Sequence, residues 1–217
     1  NKYFFEIPIV GSLLVKEMKQ EHEIDYISSY GSTPTLLDPS EASLILFNWF
    51  SKLHPSQKKS RIILKEKKEH MIKTINSIYN IYNKPIIIKN TWNCFRVEDI
   101  KKNLPESKFI WLKRDIRNTA FSDLKARYRK GDPGKVWNSA TVSNYEDLLK
   151  YPYWISVVEQ QYYTNLAVEE SLSKLDNKDY ITIWYEDICR NVRKNVEYIS
   201  SFSNLDYYEI KNDQIYL

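Results

Sequence analysis

Lys108-Phe109-Ile110-Trp111-Leu112-Lys113-Arg114-Asp115, running on through Ile116-Arg117-Asn118-Thr119-Ala120-Phe121 to Ser122, is the stretch on which the reading of this chain turns. Its first half is a continuous β-branched and aromatic run of strand length, and its second half opens a helical segment that extends to Arg129. Pro85-Ile86-Ile87-Ile88, bounded by Lys89-Asn90, is a second run of the same kind. Between the two, Cys94 to Asn103 fits a connecting helix that stops before Pro105. Strand alternating with helix predicts βαβ units and central parallel strands.

The pattern returns downstream, with a helix expected from Tyr153 to about Lys174, a strand over Tyr180 to Tyr185 and a helix from Arg190 to Phe202. Upstream, Phe4 to Val10 reads as a buried strand ended by a turn at Gly11, and Leu13 to Gln20 as a helix. Ser28 to Pro39 is loop-like, and Asp38-Pro39-Ser40-Glu41 opens a helix carrying Leu44, Leu46, Phe47 and Phe50. Arg61 to Tyr82 places Ile63, Met71, Ile75, Ile78 and Tyr82 at near-helical spacing among lysines, a long amphipathic helix. Gly131 to Tyr151 lacks periodicity, and a stretch of that length in a compact domain is more often a functional loop than an idle connection. The expected architecture is α/β: one three-layer domain over residues 1–217, a central parallel sheet flanked by helices.

Length and composition bound the function. The 217 residues suffice for one substantial core, and 42% hydrophobic with 28% charged residues is globular composition. A net charge of +4 favours an anionic partner, yet 32 basic against 28 acidic residues is too balanced for a protein that coats nucleic acid. A charged small molecule fits better. Cys94 and Cys189 are too few for a disulfide framework and lack clustered zinc partners, so both read as reduced, buried thiols. No apolar stretch is long enough to span a bilayer, and the opening residues lack a signal-peptide pattern. The chain opens without methionine, so a removed signal or anchor is compatible with it and a cytoplasmic location is the default expectation.

Ligands of an open parallel sheet bind beyond the carboxyl ends of its strands. Arg114 stands at such an end and Ser122 lies about two helical turns further on. An arginine fork with one added hydroxyl donor suits a terminal phosphate monoester. The alternative is that Arg114 pairs with Asp115 or a surface carboxylate while Ser122 is a solvated helix residue.

These residues carry a resemblance to a known family. Phe109 through Arg117 to Ser122 resembles the 3′-phosphate-binding strand and helix of the sulfotransferases that use 3′-phosphoadenosine 5′-phosphosulfate. Lys89-Asn90-Thr91-Trp92-Asn93 is similar to that family's lysine-bearing strand end, Leu104 to Ile110 to its approach to the second strand, and Trp184-Tyr185-Glu186-Asp187-Ile188 to its Tyr-Glu-Asp strand end. Together the motifs cover roughly Pro85 to Phe202, in the family's order and spacing. The resemblance implies a P-loop NTPase-like sulfotransferase fold, the phosphosulfate as donor, 3′-phosphoadenosine 5′-phosphate as product, and no metal. The acceptor would be a hydroxyl or amine on a carbohydrate, peptide tyrosine, lipid or small molecule.

It also implies roles. Arg114 and Ser122 would hold the 3′-phosphate, Tyr185 would border the adenine, and Lys89 would stabilise charge on the bridging oxygen; each has a plainer structural reading as surface or core. Gly11 and Ser12 fall where the family places its 5′-phosphosulfate loop, but Ser12 runs straight into Leu13-Leu14. The flanks look like that strand and helix with the loop excised, so a segment is expected to be missing between Ser12 and Leu13; a continuous junction would make the protein a pseudoenzyme. For the base, Glu41 and Asp38 are the candidates, with helix capping by Asp38 or Ser40 the competing role. His22, His54 and His70 read as solvated surface histidines. Arg127-Tyr128-Arg129-Lys130-Gly131 is either a basic patch for an anion or a solvated helix end, and Trp137, Tyr151, Tyr153 and Trp154 are either an acceptor cleft or packing. The rivals are a P-loop-type kinase, which lacks its Gly-x-x-x-x-Gly-Lys-Ser/Thr loop here, a nucleic-acid module without a recognised motif, and an inactive nucleotide-binding or interaction protein of the same fold.

Overall fold

A computed structural model describes residues 8–18, 43–51 and 62–206. The candidate base Glu41, with Asp38, Ser40, His22, His54 and the Phe4–Ile7 part of the first expected strand, lies outside the described residues. The chain divides into two compact units, Asn1–Asp99 and Ile100–Leu217.

In the first unit, α1 (Pro8–Met18) packs against α3 (Lys68–Tyr82), and Ser43–Leu46 forms the short α2. Among the described residues, the strand end and turn expected up to Gly11 are replaced by helix: Ile9, Val10, Gly11 and Ser12 are all helical. Pro8 stands at the first helical position, where its fixed φ is favourable, and a short apolar run does not by itself distinguish strand from helix. Tyr82 Oη donates to the Ser12 carbonyl at 2.8 Å and Lys16 Nζ to the Ile81 carbonyl at 2.6 Å, so α1 is tied to the end of α3. The helix expected from Arg61 begins at Lys68 after a 3₁₀ turn, because Ile63 bridges antiparallel to Phe50 and its amide donates to Asp99 Oδ2 at 2.6 Å. Trp49, Phe50, Ile63, Met71, Phe95 and Val97 are buried, and Arg96 lies 4.2 Å from the Phe50 ring centre. His70 is exposed, as expected of a surface histidine, but its Nδ1 accepts from the Trp49 indole at 3.1 Å.

Pro85–Ile88 is a second correction. It is irregular, and Ile87 is 78% exposed. Apolar β-branched residues favour a strand only where the backbone finds a ladder partner. The described sheet contains β1 (Phe109–Lys113) and β2 (Tyr180–Trp184) alone, smaller than the three-layer central sheet expected.

Those two strands organise the second unit. They run parallel, with Phe109 opposite Tyr180 and Lys113 opposite Trp184. Helix α4 (Val97–Asn103) precedes β1, and α5 (Ile116–Lys130) follows it. Then come α6 (Tyr145–Leu148), α7 (Tyr153–Leu172), and beyond β2, α8 (Tyr185–Arg190) and α9 (Val192–Ser203). Helices α5 and α7 pack together, and Ala120, Ala126, Val157, Val168 and Leu172 are buried with Ile181 and Ile183 of β2. No described helix is long and apolar enough to cross a membrane.

The expected basic patch at the end of α5 also divides. Tyr128 and Lys130 are exposed, whereas Arg127 is 2% exposed. Its guanidinium donates to Asp123 Oδ2 at 3.1 Å, Gln160 Oε1 at 2.6 Å and Ser156 Oγ at 3.4 Å, and it lies 4.6 Å from the Trp137 ring centre. Gln160 in turn donates to the carbonyls of Asn138 and Ala140 at 2.8 and 2.7 Å. Ser139 between them takes φ 64°, a left-handed turn that brings both carbonyls round to one amide. The segment between α5 and α7 is thus pinned by buried polar groups, with only the single turn of α6 as regular structure.

Candidate active site

The parallel register builds the site. Lys113 and Trp184 end their strands opposite one another, so the next residues, Arg114 and Tyr185, emerge side by side at the carboxyl ends. The Arg114 guanidinium carbon lies 4.6 Å from the Tyr185 ring centre, a cation–π distance. Arg114 Nε is buried without a hydrogen-bond partner. The sequence alternative in which Arg114 pairs with Asp115 is not what forms. Asp115 caps α5 by accepting from the Arg117 and Asn118 amides at 2.9 and 3.4 Å, and its carboxylate binds the Arg117 side chain at 3.2 and 3.0 Å. Those bonds to Arg117 hold its carboxyl down at about 2.

Glu186 joins the two strand ends. Its Oε1 accepts from the Asp115 amide at 3.2 Å, and its carboxyl is held below the ordinary carboxylate range by its own amide, the Asp115 amide, the Asn118 side chain and the Arg114 charge. Glu186 Oε2 is buried without a partner. A hydrogen bond with Cys189, one turn along α8, pushes the Tyr185 phenol up, with partial burial adding and the Arg114 charge opposing. The Tyr185 ring faces Arg114.

Ser122 is half-buried on α5, one turn beyond Asn118 on the same helix face. The Asn118 side chain is among the groups that lower the Glu186 carboxyl, so this face adjoins Glu186. Of the residues singled out from sequence, Arg114 and Tyr185 are thus brought into contact and Ser122 lies on the adjoining face. Lys89 belongs to the first unit, where it is exposed and stands before Asn90, whose Oδ1 accepts from the Trp92 amide at 3.0 Å. Gly11 and Ser12 lie inside α1 and form no phosphate loop. Asn118 and the clasp by Glu186 were not anticipated. The one available signal was the four-residue interval from Asn118 to Ser122, since the partner of Glu186 is 71 residues away.

A small cavity of about 30 Å³, room for a water molecule, lies against Arg127, Trp137, Tyr145, Tyr151, Tyr153 and Ser156. Of the four aromatics that read as either an acceptor cleft or packing, Trp137, Tyr151 and Tyr153 line this cavity, and Trp154 is 57% exposed and packs edge-on against Tyr153 at 5.0 Å.

No curated protein and no solved structure matches the chain. The model of a sulfotransferase family does match it, over residues 16–209, which takes in β1, β2, Arg114, Ser122 and Tyr185. A match over that much of the chain establishes that it belongs to the sulfotransferase family.

Proposed function

We propose that this chain transfers a sulfuryl group from 3′-phosphoadenosine 5′-phosphosulfate to a hydroxyl or amine of an acceptor. The observation that carries the reading is the buried, unpartnered Nε of Arg114 beside the Tyr185 ring at the joint end of two parallel strands. A buried cationic donor without an acceptor is costly, and the ribose 3′-phosphate is a fitting partner for it. Arg114 and Ser122 hold that phosphate, and Tyr185 borders the adenine. The central sheet flanked by helices that this reading carries would include β1 and β2.

The chemistry is an in-line displacement. The acceptor oxygen forms a bond to sulfur while the bond from sulfur to the bridging phosphate oxygen breaks, and 3′-phosphoadenosine 5′-phosphate leaves. Lys89 is assigned to the charge that develops on the bridging oxygen. Glu41, on its sequence position alone, is assigned to receive the acceptor proton. The acceptor is a carbohydrate, peptide tyrosine, lipid or small alcohol.

Calorimetry with 3′-phosphoadenosine 5′-phosphate in the presence of a chelator tests the reading. Wild type should bind, and Arg114→Ala should weaken binding by about 100-fold, the worth of two charge-assisted hydrogen bonds. Equal affinity in the two proteins overturns it. One observation favours a second reading: α1 runs unbroken through Gly11, Ser12 and Leu13, where the family keeps its phosphosulfate loop. A nucleotide-binding protein without transferase activity would bind the product nucleotide yet release no sulfuryl group to any acceptor.

A further inference from the structure

We propose that Glu186 is the positioning residue that gives this site its preference for a 3′-phosphorylated nucleotide, by clasping the Arg114–Asp115 corner to the start of α8. The proposal rests on the donor assignment above. Arg114 is the last residue before the cap of α5, and Tyr185 is the first residue of α8; they sit on separate strands joined by no side-chain hydrogen bond of their own. Glu186 supplies the missing tie. Its Oε1 takes the Asp115 amide at 3.2 Å, and the Asn118 side chain, one turn before Ser122, helps to lower its carboxyl.

The clasp leaves Arg114 for a ligand. Glu186 spends one oxygen on a backbone amide, Asp115 spends its carboxylate on Arg117, and the Arg114 Nε remains buried and unpartnered. A carboxylate that seized the guanidinium would compete with a phosphate; one that holds the neighbouring amide fixes where the guanidinium stands. The adenine and 5′ portions of the nucleotide do not depend on the clasp, so its loss should appear in the 3′-phosphate alone.

The test is the ratio of affinities for 3′-phosphoadenosine 5′-phosphate and adenosine 5′-monophosphate, measured by calorimetry on wild type, Glu186→Gln and Glu186→Asp. Glutamine keeps an oxygen at the length needed to reach the Asp115 amide and should hold the wild-type ratio to within about 3-fold. Aspartate keeps the charge but is one methylene short, and should lose about tenfold or more of the ratio, the worth of one hydrogen bond to a charged group, with monophosphate affinity unchanged. Unchanged monophosphate affinity separates a displaced Arg114 from a misfolded protein. An aspartate variant that keeps the full ratio, or a glutamine variant that loses as much as aspartate, overturns the clasp. A wild-type chain that binds both nucleotides equally overturns the donor assignment and the clasp with it, whereas a wild-type preference that survives in both variants overturns the clasp alone.

Discussion

Arg127→Met should destabilise the second unit by about 3–5 kcal/mol at neutral pH, the cost of removing one partner of a buried ion pair. Arg127 is 2% exposed and Asp123 6% exposed, and they meet at 3.1 Å. Methionine occupies much of the same space and adapts to irregular gaps, so the loss reports the missing charge and hydrogen bonds rather than a large cavity. What stays behind is a buried carboxylate that still accepts from the Asn138 amide at 2.6 Å, together with a Gln160 oxygen deprived of its donor. The same geometry fixes the pH dependence. Desolvation already raises Asp123 above its ordinary value of 3.8, against the opposing pull of Asn138 and Arg127, and removing Arg127 raises it further. A carboxyl raised in the folded state contributes most below its unfolded value and loses that contribution as pH rises through the folded one; each further unit is worth about 1.4 kcal/mol. The deficit of the variant should therefore shrink as pH falls from 7 to 5. Urea unfolding followed by tryptophan fluorescence measures it, with Trp137 at 4.6 Å from the guanidinium as a local reporter. A deficit below about 1 kcal/mol at pH 7, or one that grows on acidification, would refute the reasoning.

Gly131→Ala should cost about 1–3 kcal/mol in the same unfolding assay, because Gly131 closes α5 at φ 143°, while its Cβ would meet Val136 at an ordinary 3.6 Å; backbone strain alone is at issue. Gly134→Ala needs no such φ; its Cβ would stand 3.3 Å from Asp132 Oδ1, on an exposed side chain that can give by a few tenths of an ångström, so it should cost less than Gly131→Ala in the same assay. Asp115 is held down at about 2, so its contribution is fully present above the ordinary value of 3.8 and is lost as pH falls toward 2. Thermal melts across that window should show wild type losing stability that an Asp115→Asn variant does not lose. Cys94 and Cys189 are half-buried rather than buried, yet desolvation pushes the Cys94 thiol up to about 11, so it should react with a disulfide reagent at pH 8 far more slowly in the folded chain than in urea; equal rates would contradict that shift.

The parts of the site legible in sequence are those written in contiguous residues. Phe109 to Lys113 and Tyr180 to Trp184 are apolar runs of strand length followed by polar residues, and both form strands with Arg114 and Tyr185 at their ends. Periodicity likewise places α5, α7 and α9 within a few residues of their observed bounds. The misreadings share a cause. Phe4 to Val10 and Pro85 to Ile88 are short apolar runs whose state depends on partners elsewhere in the chain, and the described part of the first became helix while the second stayed irregular. Arg127 reads as surface charge because Gln160, its closest acceptor, is 33 residues distant. The Asp115 amide that Glu186 accepts from is 71 residues away, so that tie is equally illegible in the sequence.

The side-chain amide of Gln160 can stand in one sense only. Its oxygen faces the Arg127 guanidinium at 2.6 Å and its nitrogen faces two backbone carbonyls, so a half-turn would oppose like with like at every contact. Glutamate matches glutamine in outline and would suit the cation better, yet it would set a second acceptor against the Asn138 and Ala140 carbonyls. The loop backbone, rather than the buried arginine, therefore dictates which of these two isosteres position 160 can hold.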